Sequence, residues 1–332
     1  MKKVSIIISH FKTFRWTAIC LHHFKKYTPP VDFEIIVCDN SPDHPSLNAI
    51  KSTSLGDGVT FIIGEKDFPS HGRGYDLCLK ESTGDHIFCA ETDSFPTMHG
   101  WFNEYIKASV DYDLIGPEVP QSSGRYIHPA GALINRSVID AAENWQKEHS
   151  DWMFIPSAGM RLEVSDKCYH VVANKSYVKP FMIDSTIKSE TELWGRCGVF
   201  QEMRSFDEDS FDTYSQRTGI ANWEPIAGKD AYLKIGYEPG QWLSYFANSH
   251  GFKVLAAPSH IEWMTGKEGG QAAYSTVFDG FRHIWCGTSA FMNGIEPEVR
   301  EFKMNQMNEY WNSIPAEIRS VIESHESTYD QQ

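Results

Sequence analysis

Over the first 116 residues, short unbroken apolar runs alternate with segments whose apolar positions recur every three or four residues. Val4-Ser5-Ile6-Ile7-Ile8-Ser9 is rich in β-branched residues and too short for a helix, so it predicts a strand buried on both faces. From Thr13 to Tyr27, the residues Trp16, Ile19, Cys20, Phe24 and Tyr27 fall on one helical stripe, and Pro29-Pro30 stop the element. Phe33 to Cys38 is a second strand, ended by the turn residues Asp39-Asn40-Ser41-Pro42. A third strand spans Val59 to Ile63, a helix Tyr75 to Glu81 closes at Gly84, and a fourth strand covers His86 to Ala90. A helix over Gly100 to Val110 and a short strand over Asp113 to Gly116 complete the series. This alternation predicts an α/β fold with a doubly wound, mostly parallel sheet flanked by helices.

Further along, Ala130 to Arg136 has the look of a strand, with a helix from Val138 to Gln146. Residues 150–225 mix Trp, Gly, Ser and acidic residues without a period, and are expected to form long functional loops or an inserted subdomain. Gln241 to His250 suits a helix stopped by Gly251, Phe252 to Ala256 a strand, and Pro297 to Ser324 a C-terminal helical extension. The division expected is 1–120, 121–265 and 266–332.

Composition narrows the function classes. A chain of 332 residues that is 41% hydrophobic can bury a large core. The net charge of -14 argues against binding nucleic acid through a general electrostatic field. No stretch approaches the roughly 20 apolar residues of a membrane span, so no transmembrane segment is expected. Seven cysteines without a C-x-x-C pair suggest buried free thiols in a reducing compartment, which favours a cytoplasmic protein.

The chemistry concentrates in Gly84-Asp85-His86-Ile87-Phe88-Cys89-Ala90-Glu91-Thr92-Asp93. Glu91 and Asp93 stand where the fourth strand runs out, and residues i and i+2 of an extended chain share a side. Two carboxylates so placed can converge on one hard cation. The carboxyl end of a strand is also where open α/β sheets bind ligands.

Four segments in order over about 90 residues resemble the family 2 glycosyltransferases, whose nucleotide-sugar-binding fold is called GT-A. They are Val4 to Phe11; Glu34-Ile35-Ile36-Val37-Cys38-Asp39-Asn40-Ser41; Gly74-Tyr75-Asp76 through Ser82-Thr83-Gly84-Asp85; and the strand ending in Glu91-Thr92-Asp93, where the family carries its D-x-D. The resemblance implies a transferase that moves a sugar from a nucleoside diphosphate sugar, UDP-sugar favoured, to a glycan or other hydroxyl acceptor. Ser9, His10, Phe11, Asp39, Arg73, Asp76, Glu91 and Thr92 would then line the donor crevice, with Asp39 on the base. Asp39 also suits an Asx turn, and Arg73 a plain surface position.

Glu91 and Asp93 would hold Mn2+ or Mg2+. The family's third ligand is often a histidine after the last core strand, which points to His260, with His283 as second choice. The family's catalytic base, an acidic pair at the start of a late helix, is replaced here by Pro239-Gly240. Glu238 just before them and Asp209 are the candidates for an inverting reaction, with Asp230 behind them. Two alternatives stay open: a non-catalytic carbohydrate- or nucleotide-binding protein, and a sugar-phosphate nucleotidyltransferase. The second is disfavoured because the loop after the first strand lacks the glycines that cradle phosphates.

Overall fold

The computed structural model describes residues 3–64, 71–121, 124–148, 153–154, 161–164, 167–170, 177–178, 199, 240–263, 273–284 and 296–329. Strands β1 (Lys3–His10), β2 (Asp32–Asp39), β3 (Val59–Ile63) and β4 (His86–Glu91) alternate with helices α1 (Arg15–Lys26), α2 (Ser46–Lys51) and α3 (His71–Glu81). Then come β5 (Ser94–Pro96), α4 (Asn103–Ala108), β6 (Leu114–Gln121), β7 (Gly124–Ile127), β8 (Ala132–Asn135) and α5 (Arg136–Glu148). Four short strands, β9 (Met153–Phe154), β10 (Arg161–Val164), β11 (Lys167–His170) and β12 (Tyr177–Val178), pair as β9 with β12 and β10 with β11. The remainder is α6 (Gln241–Ser249), β13 (Val254–Ala257), β14 (Ser259–Trp263), β15 (Ala273–Val277), β16 (Phe281–His283), α7 (Pro297–Trp311) and α8 (Ala316–Tyr329).

The central sheet has the order β13-β6-β8-β4-β1-β2-β3, with β7 paired to β6. β2 and β4 flank β1 in parallel, β3 joins β2 in parallel and β13 joins β6 in parallel. β8 runs antiparallel between β4 and β6, so the sheet is mixed although mostly parallel. The β-branched run of β1 is buried along almost its whole length, as expected of a central strand covered on both faces.

Strand alternation divides the core in two. Val4, Ile6 and Ile8 of β1, with Phe88 and Ala90 of β4, face α1, α2 and the C-terminal helices. Ile7, Ile36, Ile87 and Cys89 point the other way, onto Tyr75 and Leu79 of α3, Val138 and Ile139 of α5, and Leu243 and Phe246 of α6. Cys20, Cys38, Cys78 and Cys89 are buried and free. No helix among the described residues is long and apolar enough to cross a membrane.

Several elements differ from the sequence expectation. The C-terminal helical pattern is two helices, α7 and α8, broken around Pro315. Residues 273–283, expected inside the helical extension, are β15 and β16. Their β-branched and aromatic residues, Tyr274, Thr276, Val277 and Phe281, suit strands. With β14 and β5 they form a second, antiparallel sheet of order β14-β15-β16-β5.

At the amino end of the central sheet, Glu34 ties three segments together. Its Oε1 accepts from Ser5 Oγ at 2.6 Å and the Thr83 N–H at 2.7 Å, and its Oε2 from Lys3 Nζ at 3.0 Å. Burial pushes the carboxyl up, but the hydrogen bonds from Ser5, Thr83 and Lys3 outweigh it and hold the group down at about 2 against an ordinary 4.5. A depressed folded-state value means stabilisation that is present above 4.5 and lost as pH falls toward 2. Glu34→Gln is therefore expected to cost about 1 kcal/mol at pH 7, allowing for solvent screening. The difference from wild type should close between pH 4.5 and 2 in denaturant unfolding; a gap of constant size over that range would refute the assignment.

Candidate functional site

After β1 the chain moves to β2 and β3 on one side, while β4 lies on the other. This reversal opens a crevice at the carboxyl ends of β1 and β4, the usual ligand position of a doubly wound sheet. Ser9 and Glu91 are register partners there. α3 approaches closely because residue 74 is glycine: a Cβ would stand 2.5 Å from Ser9 Oγ and 2.6 Å from Asn40 Nδ2.

The turn that leaves β4 is pinned by Ser94. The Glu91 N–H donates to Ser94 Oγ at 2.7 Å, and that hydroxyl donates back to the Glu91 carbonyl at 3.0 Å. Tyr75 holds the preceding carbonyl, that of Ala90, at 2.9 Å. The chain then enters β5, which pairs with β16 so that His283 lies opposite Ser94, and the Ile284 N–H donates to the Asp93 carbonyl at 2.9 Å.

This pairing carries His283 to the acidic pair. Its Nε2 is 3.2 Å from Glu91 Oε2 and 3.8 Å from Asp93 Oδ1. One ligand atom each from Glu91, Asp93 and His283 lies within 4.8 Å of the other two. Ligands about 2.1 Å from a cation stand about 3 Å apart when cis and about 4.2 Å when trans, so modest side-chain adjustment would close this set on an ion. Two carboxylates and one imidazole suit Mn2+ better than Mg2+, which prefers oxygen ligands and retained waters. Asp93 is 2% exposed and His283 6%, so the ligand atoms are shielded from bulk water.

Two more histidines surround Glu91. His128 Nε2 is 3.7 Å and His71 Nδ1 4.0 Å from its Oε1. Burial would raise the Glu91 carboxyl, yet His128, His283 and His71 outweigh burial and hold it well below the usual carboxylate range. For His283 the contest runs in mirror image: burial pushes the imidazole down, and Glu91 and then Asp93 more than restore it, to above its ordinary value.

The structure places the other anticipated residues as follows. His260 does not join the centre. In the second sheet it pairs with Thr276, which pairs with Arg282, whereas His283 pairs with Ser275 and Ser94. Paired residues share a face and neighbours alternate, so His260 and His283 project from opposite faces. The His260 side chain is 71% exposed, with Nε2 3.9 Å from Glu262 Oε1.

His10 is fully buried and both ring nitrogens are engaged, Nδ1 with Thr17 Oγ1 at 2.8 Å and Nε2 with Ser46 Oγ at 2.9 Å. Burial, with His44 and Lys51 nearby, drives its pKa down to about 3. It acts as a neutral bridge from β1 to α1 and α2. Asp39 accepts from the Ser41 N–H at 3.0 Å and Ser41 Oγ at 3.2 Å, forming the Asx turn, and burial raises its carboxyl.

Ser9 accepts from Asn40 Nδ2 at 2.9 Å, and Phe11 is half-exposed at the crevice mouth. Arg73 is half-buried on the first turn of α3, Asp76 is buried one turn on, and Thr92 is buried between the two acids. Glu238, Asp209 and Asp230 lie outside the described residues; Gly240, the neighbouring position, is the N-cap of α6 with φ +82°.

His128 is the residue that sequence reasoning missed. It follows β7 in Ile127-His128-Pro129-Ala130-Gly131, and nothing in that local pattern ties it to residue 91. Gly131 makes the approach possible. Its φ of +98° favours glycine, and a Cβ there would meet Phe281 Cδ1 at 2.9 Å. Its N–H donates to the Cys89 carbonyl at 2.9 Å, fastening the turn against β4.

No protein-family model matches the chain, and no curated protein matches it. Among solved structures it is similar to S. aureus TarS 1-349 in complex with UDP, at 15% identity and a TM-score of 0.36, covering 43% of this chain and 49% of that one. It is similar also to the mannosyltransferase PcManGT from Pyrobaculum calidifontis in complex with GDP-Man and Mn2+, at 14% identity and 0.35, covering 42% and 46%. A third is the bifunctional IspDF from Campylobacter jejuni, at 10% identity and 0.32, covering 43% of each chain. The likeness spans less than half the length of each of these chains.

Proposed function

We propose that the chain is a metal-dependent glycosyltransferase that moves a sugar from a nucleoside diphosphate sugar, UDP-sugar favoured, to a hydroxyl of a glycan or related acceptor with inversion. The observation that carries this reading is the convergence of Glu91, Asp93 and His283 within 4.8 Å at the switch-point crevice. A divalent ion held by these three side chains would supply Lewis-acid stabilisation of the negative charge that develops on a departing diphosphate.

The protein's own groups have separable tasks in this reading. Ser9 at the end of β1, Phe11 just after it and the Asp39–Ser41 turn at the end of β2 form the wall against which the base and ribose pack. His10 keeps that wall in shape from below. Arg73, half-buried at the start of α3, would offer its charge to a phosphate, with Asp76 and Thr92 beside it in the donor crevice. Glu238 or Asp209 would take the proton of the attacking hydroxyl. The expected location is the cytoplasm.

The glycine N-cap of α6, where an acidic pair would serve an inverting enzyme, favours a second reading, a binding protein that retains the donor site without transfer. One experiment separates the two: thermal unfolding with UDP- or GDP-sugars, with and without Mn2+, followed by assay of sugar release and transfer. Metal-dependent stabilisation with turnover supports the transferase, whereas stabilisation without transfer to any acceptor supports the binding protein. Neither stabilisation nor turnover would refute both readings.

A further inference from the structure

We infer that His128 is a positioning residue of this centre: it fixes the Glu91 carboxylate so that one oxygen, Oε2, faces His283 while the other, Oε1, is held away. The inference rests on reading Glu91, Asp93 and His283 as a cation site. It adds to that site a side chain that touches no ion.

The orientation of the His128 ring follows from its hydrogen bonds. The Ala130 N–H donates to His128 Nδ1 at 3.2 Å, so Nδ1 acts as acceptor and the ring proton sits on Nε2. That protonated nitrogen is the one 3.7 Å from Glu91 Oε1. Nε2–H therefore attracts the carboxylate and cannot itself ligate a cation. The main chain is held too, since the His128 N–H donates to the Pro117 carbonyl at 2.9 Å and Gly131 is fastened to Cys89. The ring lies nearly flat on that of His283, with centroids 5.3 Å apart and planes at 23°. One side chain thus steadies two of the three side chains of the site.

Glutamate needs such a support more than aspartate does. It carries one more rotatable bond, and a free carboxylate can offer a cation either oxygen or both. With Oε1 drawn to His128 and His71, Oε2 is left 3.2 Å from His283 Nε2. The result is a one-oxygen ligand held at a set angle. His71 cannot do this alone: its Nδ1 is farther off at 4.0 Å and its side chain is 31% exposed.

The test compares two substitutions at one position. His128→Asn keeps an acceptor near Nδ1 and loses the donor at Nε2; His128→Gln reaches the Nε2 position with its amide N–H. Mn2+ binding to the full chain is followed by electron paramagnetic resonance titration, which gives both affinity and line shape without any substrate. Metal-free melting temperatures monitor folding. His128→Asn should weaken Mn2+ about 10- to 100-fold, as removal of a partner behind a metal ligand commonly does, and should alter the line shape. His128→Gln should recover most of the affinity.

Unchanged affinity and line shape in His128→Asn would overturn the inference while leaving the metal site intact. Equal losses in both variants would also overturn it, because they would mean that His128 matters for packing or as a ligand rather than through the attraction of its Nε2–H for Glu91. If wild type binds no Mn2+, the reading of the site fails and the inference with it.

Discussion

Asp93→Asn is expected to abolish measurable Mn2+ binding and to lower sugar release or transfer by about three orders of magnitude. The metal's share in stabilising a leaving diphosphate is several kcal/mol, and about 4 kcal/mol corresponds to a thousandfold in rate. Asn keeps the size of the side chain and removes the charge. Asp93 is 2% exposed, with Oδ1 3.8 Å from His283 Nε2, so the charge that is lost lies inside the ligand cluster. The folded chain should survive: metal-free Asp93→Asn should melt close to wild type, since relief of repulsion with Glu91 offsets the lost attraction to His283. Mn2+ should raise the melting temperature of wild type alone, by the linkage that any ligand of the native state obeys. Near-wild-type Mn2+ affinity in Asp93→Asn would remove the metal centre from this account.

His283→Ala paired with His260→Ala gives the second large contrast. Loss of His283 removes the third donor and should weaken Mn2+ by about 100-fold, with a matching fall in metal-dependent turnover. It also leaves Glu91 without its nearest cationic partner at 3.2 Å, which should cost on the order of 2 kcal/mol of metal-free stability. His260→Ala should stay within about twofold of wild type in Mn2+ affinity, because that side chain is 71% exposed on the other face of the sheet. Isothermal calorimetry with Mn2+ on both variants decides it. A larger loss for His260→Ala than for His283→Ala would contradict the register between β15 and β16.

The contrast between these two histidines shows where sequence reasoning stops. Both follow β13 and both stand in short strands of mixed character. A strand pattern gives the alternation of side chains but not the partner strand, and shifting a register by one residue exchanges the faces. The pairing of His283 with Ser275 and then with Ser94 decides which imidazole turns to the acids. His10 teaches the same lesson in the donor loop. Its place at the end of β1 suggested contact with a nucleotide, while its burial and its bonds to Thr17 and Ser46 make it a structural bridge.

The parallel strands and the helices between them were legible because each is specified locally. A β-branched run such as Ile6-Ile7-Ile8 favours extended backbone whatever it packs against, and the spacing of Trp16, Ile19, Cys20 and Phe24 marks α1 as a helix, although the structure buries it on more than that stripe. The Glu91–Asp93 pair is local in the same sense: two residues apart, they sit on the short turn that leaves β4 and stay close whatever the rest of the chain does. His283 and His128 reach the pair through β16 on β5 and through the Gly131 turn on β4, contacts between segments far apart in the chain. Such contacts depend on how the whole core closes, with every strand competing for every edge. The sequence alone therefore determined the fold class and the two acids, and the tertiary structure decided which imidazoles come to lie beside them.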